Sequence, residues 1–85
     1  MKLDKKEIMN RALNAMTINI GKAGINENVL EEIKRQFESN EVLRVKFAKN
    51  VARDKDTFIN EIKDATRCQL VDVRGHVAVL YKRKP

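Results

Sequence analysis

Three segments of the chain carry apolar side chains at the three- and four-residue spacing of an amphipathic helix. The first runs from residue 4 to about residue 15. Residues suited to the N-cap are Asp4 for the first helix, Asn26 or Asn28 for the second, and Asp54 or Asp56 for the third. The side chains expected to face a core are Ile8, Met9, Ala12, Leu13 and Met16 in the first helix, Val29, Leu30, Ile33 and Phe37 in the second, and Phe58, Ile59, Ile62 and Ala65 in the third.

Four other segments have the composition or the alternation of β-strands. They are Thr17–Ile20, Val42–Ala48, Cys68–Val73 and Val77–Lys82. The second alternates cleanly, with Arg44 and Lys46 on the face opposite its apolar residues, which predicts a half-buried strand with a basic outer face. Arg74-Gly75-His76 separates the last two strands and indicates a hairpin.

The elements therefore follow the order α-β-α-β-α-β-β. Interleaved helices and strands predict a two-layer α/β sandwich, in which a four-stranded mixed sheet has the helices packed on one face. The 85 residues leave no room for a second core, and no internal repeat or linker interrupts them, so residues 1–85 are expected to form a single domain.

The composition excludes several classes of protein. With 42% hydrophobic residues the chain has enough apolar side chains to fold, and no apolar run approaches the roughly 20 residues of a membrane helix. The N-terminal segment lacks the apolar stretch of a secretory signal, so a cytoplasmic protein is expected. A single cysteine, Cys68, forms no internal disulfide and is expected to pack as a small hydrophobic residue.

The charge is the first indication of function. Eighteen Lys and Arg against twelve Asp and Glu give a net charge of +6, and the pI is near 9.7, a value typical of nucleic-acid-binding domains but also compatible with a lysine-rich solvated surface. The acidic residues concentrate at Glu27, Glu31, Glu32, Glu38 and Glu41, and at Asp54, Asp56, Glu61 and Asp64. The glycine-containing loop and the chain from Arg74 onward are nearly free of acids, which favours a surface of one sign.

Two glycines three residues apart, Gly21 and Gly24, separate the first strand from the second helix. Glycine lets a backbone adopt tight turns and removes the side chains that keep a phosphate at a distance, and Lys22 adds a positive charge between them. The loop Gly21-Lys22-Ala23-Gly24 therefore suits a sugar–phosphate backbone, as a GXXG clamp does. The alternative is a tight strand-to-helix turn that needs glycine for its shape alone.

Other cations are weaker candidates for the same site. They are Lys5 and Lys6 in the first helix, Arg44 and Lys46 on the second strand, and Arg74, Lys82 and Arg83 around the closing hairpin. Each is equally explained as a solvated surface group. Tyr81 could stack on a base, although a lone tyrosine in a strand usually packs in or beside a core. His76 is a turn residue, and the chain offers no His/Cys/carboxylate arrangement for a metal, a nucleophile or an acid–base pair, so neither catalysis nor a cofactor is expected.

Four segments together resemble the CRM domain, the domain of chloroplast RNA splicing and ribosome maturation proteins and their single-domain YhbY-type relatives. They are Ile20-Gly21-Lys22-Ala23-Gly24-Ile25, Val29-Leu30-Glu31-Glu32-Ile33, Glu41-Val42-Leu43-Arg44-Val45-Lys46 and Val79-Leu80-Tyr81-Lys82, in the family's order and spacing. The resemblance covers roughly Lys5 to Arg83. It implies a fold like the C-terminal domain of translation initiation factor three, RNA binding, and association with precursors of the large ribosomal subunit.

The sequence therefore predicts a monomeric, non-enzymatic RNA-binding accessory factor that contacts mainly the sugar–phosphate backbone of rRNA. Neither a membrane nor a small-molecule substrate is expected as a partner. Two alternatives remain open at this point. An Alba-like chromatin protein shares the small size and a basic "IGK" start, and would be an obligate dimer on duplex DNA. A protein-binding adaptor would use the same surface to dock on acidic partners, and its binding would resist nuclease treatment.

Overall fold

The computed structural model describes residues 4–83, which form three α-helices, one short 3₁₀ helix and four strands in the predicted order. The helices are α1 (Lys5–Ala12), α2 (Glu27–Ser39) and α3 (Lys55–Thr66). The strands are β1 (Thr17–Ile20), β2 (Val42–Phe47), β3 (Gln69–Arg74) and β4 (Val77–Tyr81). The 3₁₀ helix, Ala52–Asp54, lies in a stretch that the sequence pattern left without structure, and it buries Val51 and Ala52.

Two of the predicted caps act through their side chains. The backbone N–H of Glu7 donates to the Asp4 carboxylate at 2.8 Å, and that of Val29 donates to the Asn26 side-chain oxygen at 3.0 Å, which settles the start of α2 at Asn26 rather than Asn28. Asp54 occupies the N-cap position of α3 but makes no capping hydrogen bond with its side chain.

The sheet is mixed and four-stranded, as predicted, with the strand order β1-β2-β4-β3. β1 runs parallel to β2, while β4 pairs antiparallel with both β2 and β3. β2 and β4 are therefore the central strands, and the register pairs Leu43 with Leu80 and Val45 with Ala78. These four side chains point to one face of the sheet, which we call the inner face.

The main hydrophobic core lies between the inner face and the helices α2 and α3. Ile33 and Phe37 of α2 and Ile59 and Ile62 of α3 pack there against β1, β2 and β4. The expectation of a helical layer on one face is confirmed for these two helices. Val29, Leu30 and Phe58 contact the same core while partly exposed.

Helix α1 lies on the opposite face of the sheet, so the expectation that all three helices share one face is wrong for α1. Ile8 and Ala12 form a second buried cluster with the outward-facing side chains of β2 and β4, namely Val42, Val79 and Tyr81. Alternation along a strand explains the split, because Val42 must face away from the side that buries Leu43. Tyr81 is 1% exposed and belongs to this core, so base stacking by Tyr81 is excluded in this fold.

The first helix ends three residues earlier than predicted, at Ala12, and the chain continues through tight turns into β1. Two side chains expected in the core are consequently exposed, Leu13 at 74% and Met16 at 48%. Both belong to the segment that leaves the helix to enter the edge strand β1, where no element formed by residues 4–83 covers them.

Cys68 is buried, as expected, and its burial raises the pKa of its thiol. The folded protein therefore binds the thiol proton more tightly than the unfolded chain does. Above about pH 8.5, where an unfolded cysteine ionises, the unfolded state gains stability relative to the folded state.

We expect the free energy of unfolding to fall more steeply between about pH 7 and about pH 10 for the parent than for Cys68→Ala. Urea titrations at several pH values measure this free energy, and an equal dependence on pH in the two proteins would contradict this account.

Candidate nucleic-acid interface

The loop between β1 and α2 forms a closed turn, which we call the glycine turn (Gly21, Lys22, Ala23 and Gly24). The Gly24 N–H donates to the Gly21 carbonyl at 2.9 Å, so the four residues form one β-turn. Lys22 and Ala23 are exposed at its tip, and their backbone N–H groups make no hydrogen bond within residues 4–83. Two donors and one ammonium group thus remain available for a ligand.

Only one of the two glycines is required by the shape of the turn. Gly24 has φ +72°, in the left-handed region, and a Cβ placed there would lie 3.2 Å from the Phe58 ring. Phe58 in turn stacks on Phe47 of β2, with ring centroids 6.3 Å apart, so the turn rests on the core. Gly21 has no left-handed φ, and a Cβ there would meet nothing within 4 Å.

The start of α2, which follows the glycine turn, has little attraction for a phosphate. The Val29 N–H is already satisfied by the Asn26 side chain, and Glu27 places a carboxylate in the first turn of the helix. Both features reduce the attraction of this helix N-terminus for a phosphate. The glycine turn, which contains no acidic residue, is therefore the better phosphate site of the two.

The glycine turn lies at the end of the sheet where β1 and β2 finish, and other loops meet it there. The Ala48 N–H donates to the Ile20 carbonyl, and the Phe47 N–H donates to the carbonyl of His76 in the β3–β4 hairpin. Lys49, which the sequence reasoning missed, lies two residues after the end of β2 and is exposed at this end. The sequence did contain a signal for Lys49, because parallel neighbouring strands such as β1 and β2 bring their carboxyl ends together.

Next to the turn, a row of outward-facing residues crosses all four strands. The register aligns Asn19 of β1 with Lys46 of β2, Lys46 with Val77 of β4, and Val77 with Arg74 of β3. We call this row the outer platform. Helix α1 packs on the same face against Val42, Val79 and Tyr81, farther from the glycine turn, and so leaves the platform open. The structure thus brings Lys46 and Arg74 onto one surface beside Lys22.

The cations of this surface differ in their surroundings. Within residues 4–83, no acidic group lies within ion-pair distance of Lys22, Lys46 or Lys49. Arg74 donates through Nε to Asp72 at 2.9 Å, and this bond, with a smaller effect from the Lys5 charge, lowers the pKa of the Asp72 carboxyl. The surface is therefore cationic but not free of acids, as Asp72 adjoins Arg74.

Arg44, a candidate RNA contact from its sequence position, also has a structural role. Its guanidinium donates to the Ala15 carbonyl at 3.1 Å, and its backbone N–H donates to the Met16 carbonyl, so it fastens the segment between α1 and β1 to the sheet. Its Nε is buried and has no partner within the described residues. An unsatisfied buried donor costs roughly 1–3 kcal/mol.

The remaining predicted cations are not gathered at the glycine turn. Lys82 and Arg83 follow the other end of β4, where the Lys82 N–H donates to the Glu41 carbonyl. Arg67 lines a shallow cleft with them and adopts a left-handed φ of 59°. Lys5 and Lys6 lie in the first turn of α1, and Lys6 shares a helix flank with Met9 and Leu13 by its spacing.

Two acidic residues of α2 are engaged in ion pairs within the helix. Glu31 pairs with Lys34, and Glu32 pairs with Arg35, across one helical turn. Hydrogen bonds from Gln36 and Arg35 lower the pKa of Glu32. No cluster of three or more metal-ligating side chains occurs between residues 4 and 83, and no helix in that range is long and apolar enough to span a membrane.

Comparison with known proteins places this geometry in a family. The family model for the CRS1 / YhbY (CRM) domain matches residues 3–82. The chain belongs to the CRM domain family.

Several relatives of this CRM domain carry names that mention RNA. The Probable RNA-binding protein YqeI of Bacillus subtilis is 33% identical over 63 residues, which is 74% of this chain and 66% of YqeI. An RNA-binding protein of Haemophilus influenzae is 35% identical over 74% of this chain and 64% of its own length. The matched segments thus span slightly less than two thirds of these relatives.

A solved structure shares the fold. The solution structure of the hypothetical protein SAV1595 from Staphylococcus aureus superposes with a TM-score of 0.76 at 34% identity, covering 95% of this chain and 85% of that one. The predicted likeness to the C-terminal domain of translation initiation factor three stays a prediction.

The two glycines of the turn are expected to respond differently to alanine. Gly24→Ala forces a left-handed alanine against Phe58 and should lower the free energy of unfolding by about 1–2 kcal/mol or more. Gly21→Ala should leave it unchanged or raise it by roughly 0.4–1 kcal/mol, because alanine restricts the unfolded chain. Urea unfolding of both variants checks this, and equal losses would mean that the turn requires both glycines.

Proposed function

We propose that this CRM domain binds RNA by its sugar–phosphate backbone, with the glycine turn as the principal contact and the outer platform continuing the contact across the sheet. The observation that carries the proposal is Gly21. Neither its φ nor its surroundings require glycine, yet the missing side chain leaves the free N–H groups of Lys22 and Ala23 open to close approach. Backbone donors that are open to solvent beside a lysine suit a phosphate group.

The charges support the same ligand. Lys22, Lys46 and Lys49 have no ion-pair partner within the described residues, so a bound phosphate would displace only counterions from them. Two of the α2 acids, Glu31 and Glu32, pair with cations of their own helix. The relatives named as RNA-binding proteins add an independent reason to choose RNA over other anions.

We further propose that the RNA is ribosomal and that the protein acts as a cytoplasmic, monomeric accessory factor in assembly of the large subunit, without catalysis. The resemblance to single-domain CRM proteins supports this finer assignment. Recognition would depend on backbone and shape, because the single tyrosine is buried and leaves no aromatic platform for stacking several bases within residues 4–83.

Replacing Lys22 and Ala23 by Asp tests the turn directly. Both glycines remain, so the free energy of unfolding should change by only about 0.5 kcal/mol. Binding of single-stranded RNA should weaken by several kcal/mol, because two carboxylates replace the lysine and face the phosphate. The slope of log K against log salt should become shallower by about 0.7 for the lost Lys22 contact.

Glu38→Lys on the far surface of α2 is the matched control, and its RNA affinity should be unchanged or slightly raised. Binding by fluorescence anisotropy and thermal unfolding should be measured for all three proteins in one buffer. A folded double variant that binds as tightly as the parent would mean that the glycine turn serves only the fold.

The ribosomal assignment predicts that the protein co-sediments with immature large subunits in gradients of cell extract. Association should be lost in the Lys22→Asp/Ala23→Asp variant, since the same turn would contact the rRNA. Protein found only in the free fractions, in cells that accumulate precursors, would refute the ribosomal role. Association with a partner that survives nuclease treatment would favour a protein-binding adaptor instead.

A further inference from the structure

A cleft of about 260 Å³ lies between helix α1 and the outer platform. Its walls are apolar, formed by Met9 of α1, by Leu13 directly after this helix, and by Val77 and Val79 of β4. Two arginines, Arg44 and Arg74, also line it; the Arg44 guanidinium donates to the Ala15 carbonyl, and that of Arg74 pairs with Asp72. It is thus an apolar slot with positively charged groups beside it, on the face of the sheet that carries Lys46.

Leu13 is the most informative of the wall residues. It is 74% exposed and belongs to neither hydrophobic cluster, so the fold gains little from an apolar side chain at this position. A polar residue at the end of a helix would be the ordinary choice for so exposed a site. An apolar side chain here would gain stability from a ligand that covers it.

The chemistry of the cleft limits what that ligand is. A phosphate alone gains nothing from aliphatic walls, while an apolar side chain of a protein partner offers no acceptor to the two arginines. The volume is below the roughly 300–1,000 Å³ of pockets for drug-sized molecules. A single flat ring that has apolar faces, acceptor atoms on its edge and a negative charge attached nearby fits the apolar walls, the two arginines and the small volume.

We propose that the cleft holds one unpaired nucleobase of the bound RNA. This inference rests on the proposed function and deepens it, because the phosphates of the same strand would run over Lys46 towards the glycine turn. The geometry allows this path, since Val77 lies two strands from Asn19 in the same row, about 10 Å away. Arginine planes and aliphatic walls receive bases that have left a stack.

The test compares a single-stranded RNA of about 12 nucleotides with a chain of the same length in which every ribose lacks its base. Four proteins are needed: the parent, Leu13→Asn, Leu13→Met and Leu70→Asn. Leu70 is a matched control, because it is another exposed leucine and does not line the cleft. Thermal unfolding verifies that each variant is folded.

Leu13→Asn should bind the complete RNA about five- to tenfold more weakly than the parent and bind the abasic chain equally well. Leu13→Met, which keeps the wall apolar, and Leu70→Asn should match the parent on both strands. The Lys22→Asp/Ala23→Asp variant should lose affinity for both strands, since it removes a phosphate contact.

The two proposals fail in distinguishable ways. If Leu13→Asn binds the complete RNA like the parent while the turn variant does not, the nucleobase site is wrong and backbone binding stands. An equal loss on the complete and abasic strands would also overturn the nucleobase site. If the parent binds neither strand, the proposed function fails and the nucleobase site fails with it.

Discussion

The pairing of β2 with β4 is the constraint on which the rest of the structure depends. Its register places Leu43, Val45, Ala78 and Leu80 on one face and the alternate residues on the other. A slip of one residue would exchange the two faces and remove both hydrophobic clusters at once. Because both faces of this pair are buried over part of their length, helices are needed on both sides of the sheet.

The open surface follows from the size of α1. Eight residues rise only about 12 Å, too short to cover a four-stranded sheet, so this helix buries Val42, Val79 and Tyr81 and leaves the platform row exposed. The exposed row then contains Lys46 and Arg74 beside an apolar cleft, and it ends at the glycine turn. Helix α1 thus covers and stabilises one half of this face, and the other half remains available for a ligand.

The glycine turn meets two requirements, one of the fold and one of the surface, and each is met by a different glycine. Gly24 serves the fold, because its left-handed backbone seats the turn on Phe58 and, through the Phe47 stack, on β2. Gly21 has no such duty, and its small size matters at the surface instead. A rigid turn that keeps free donors at its tip is pre-organised for an anion, since the ordering cost is met by packing against the core.

The sequence by itself determined the element order, the mixed four-stranded sheet, two of the helix caps and the glycine turn, because each rests on local periodicity or on the conformational range of one residue type. It also indicated the basic outer face of β2. Only the tertiary structure decided that α1 crosses to the other face, that Leu13 is exposed beside a cleft, that Arg44 fastens the α1–β1 segment, and that Lys82 and Arg83 lie away from the turn. These features depend on strand order and on which surfaces remain to be covered, and both are fixed by contacts between residues distant in sequence. The apolar pattern of α1 marks a buried flank without naming the face it covers, and for that reason local reasoning placed it wrongly.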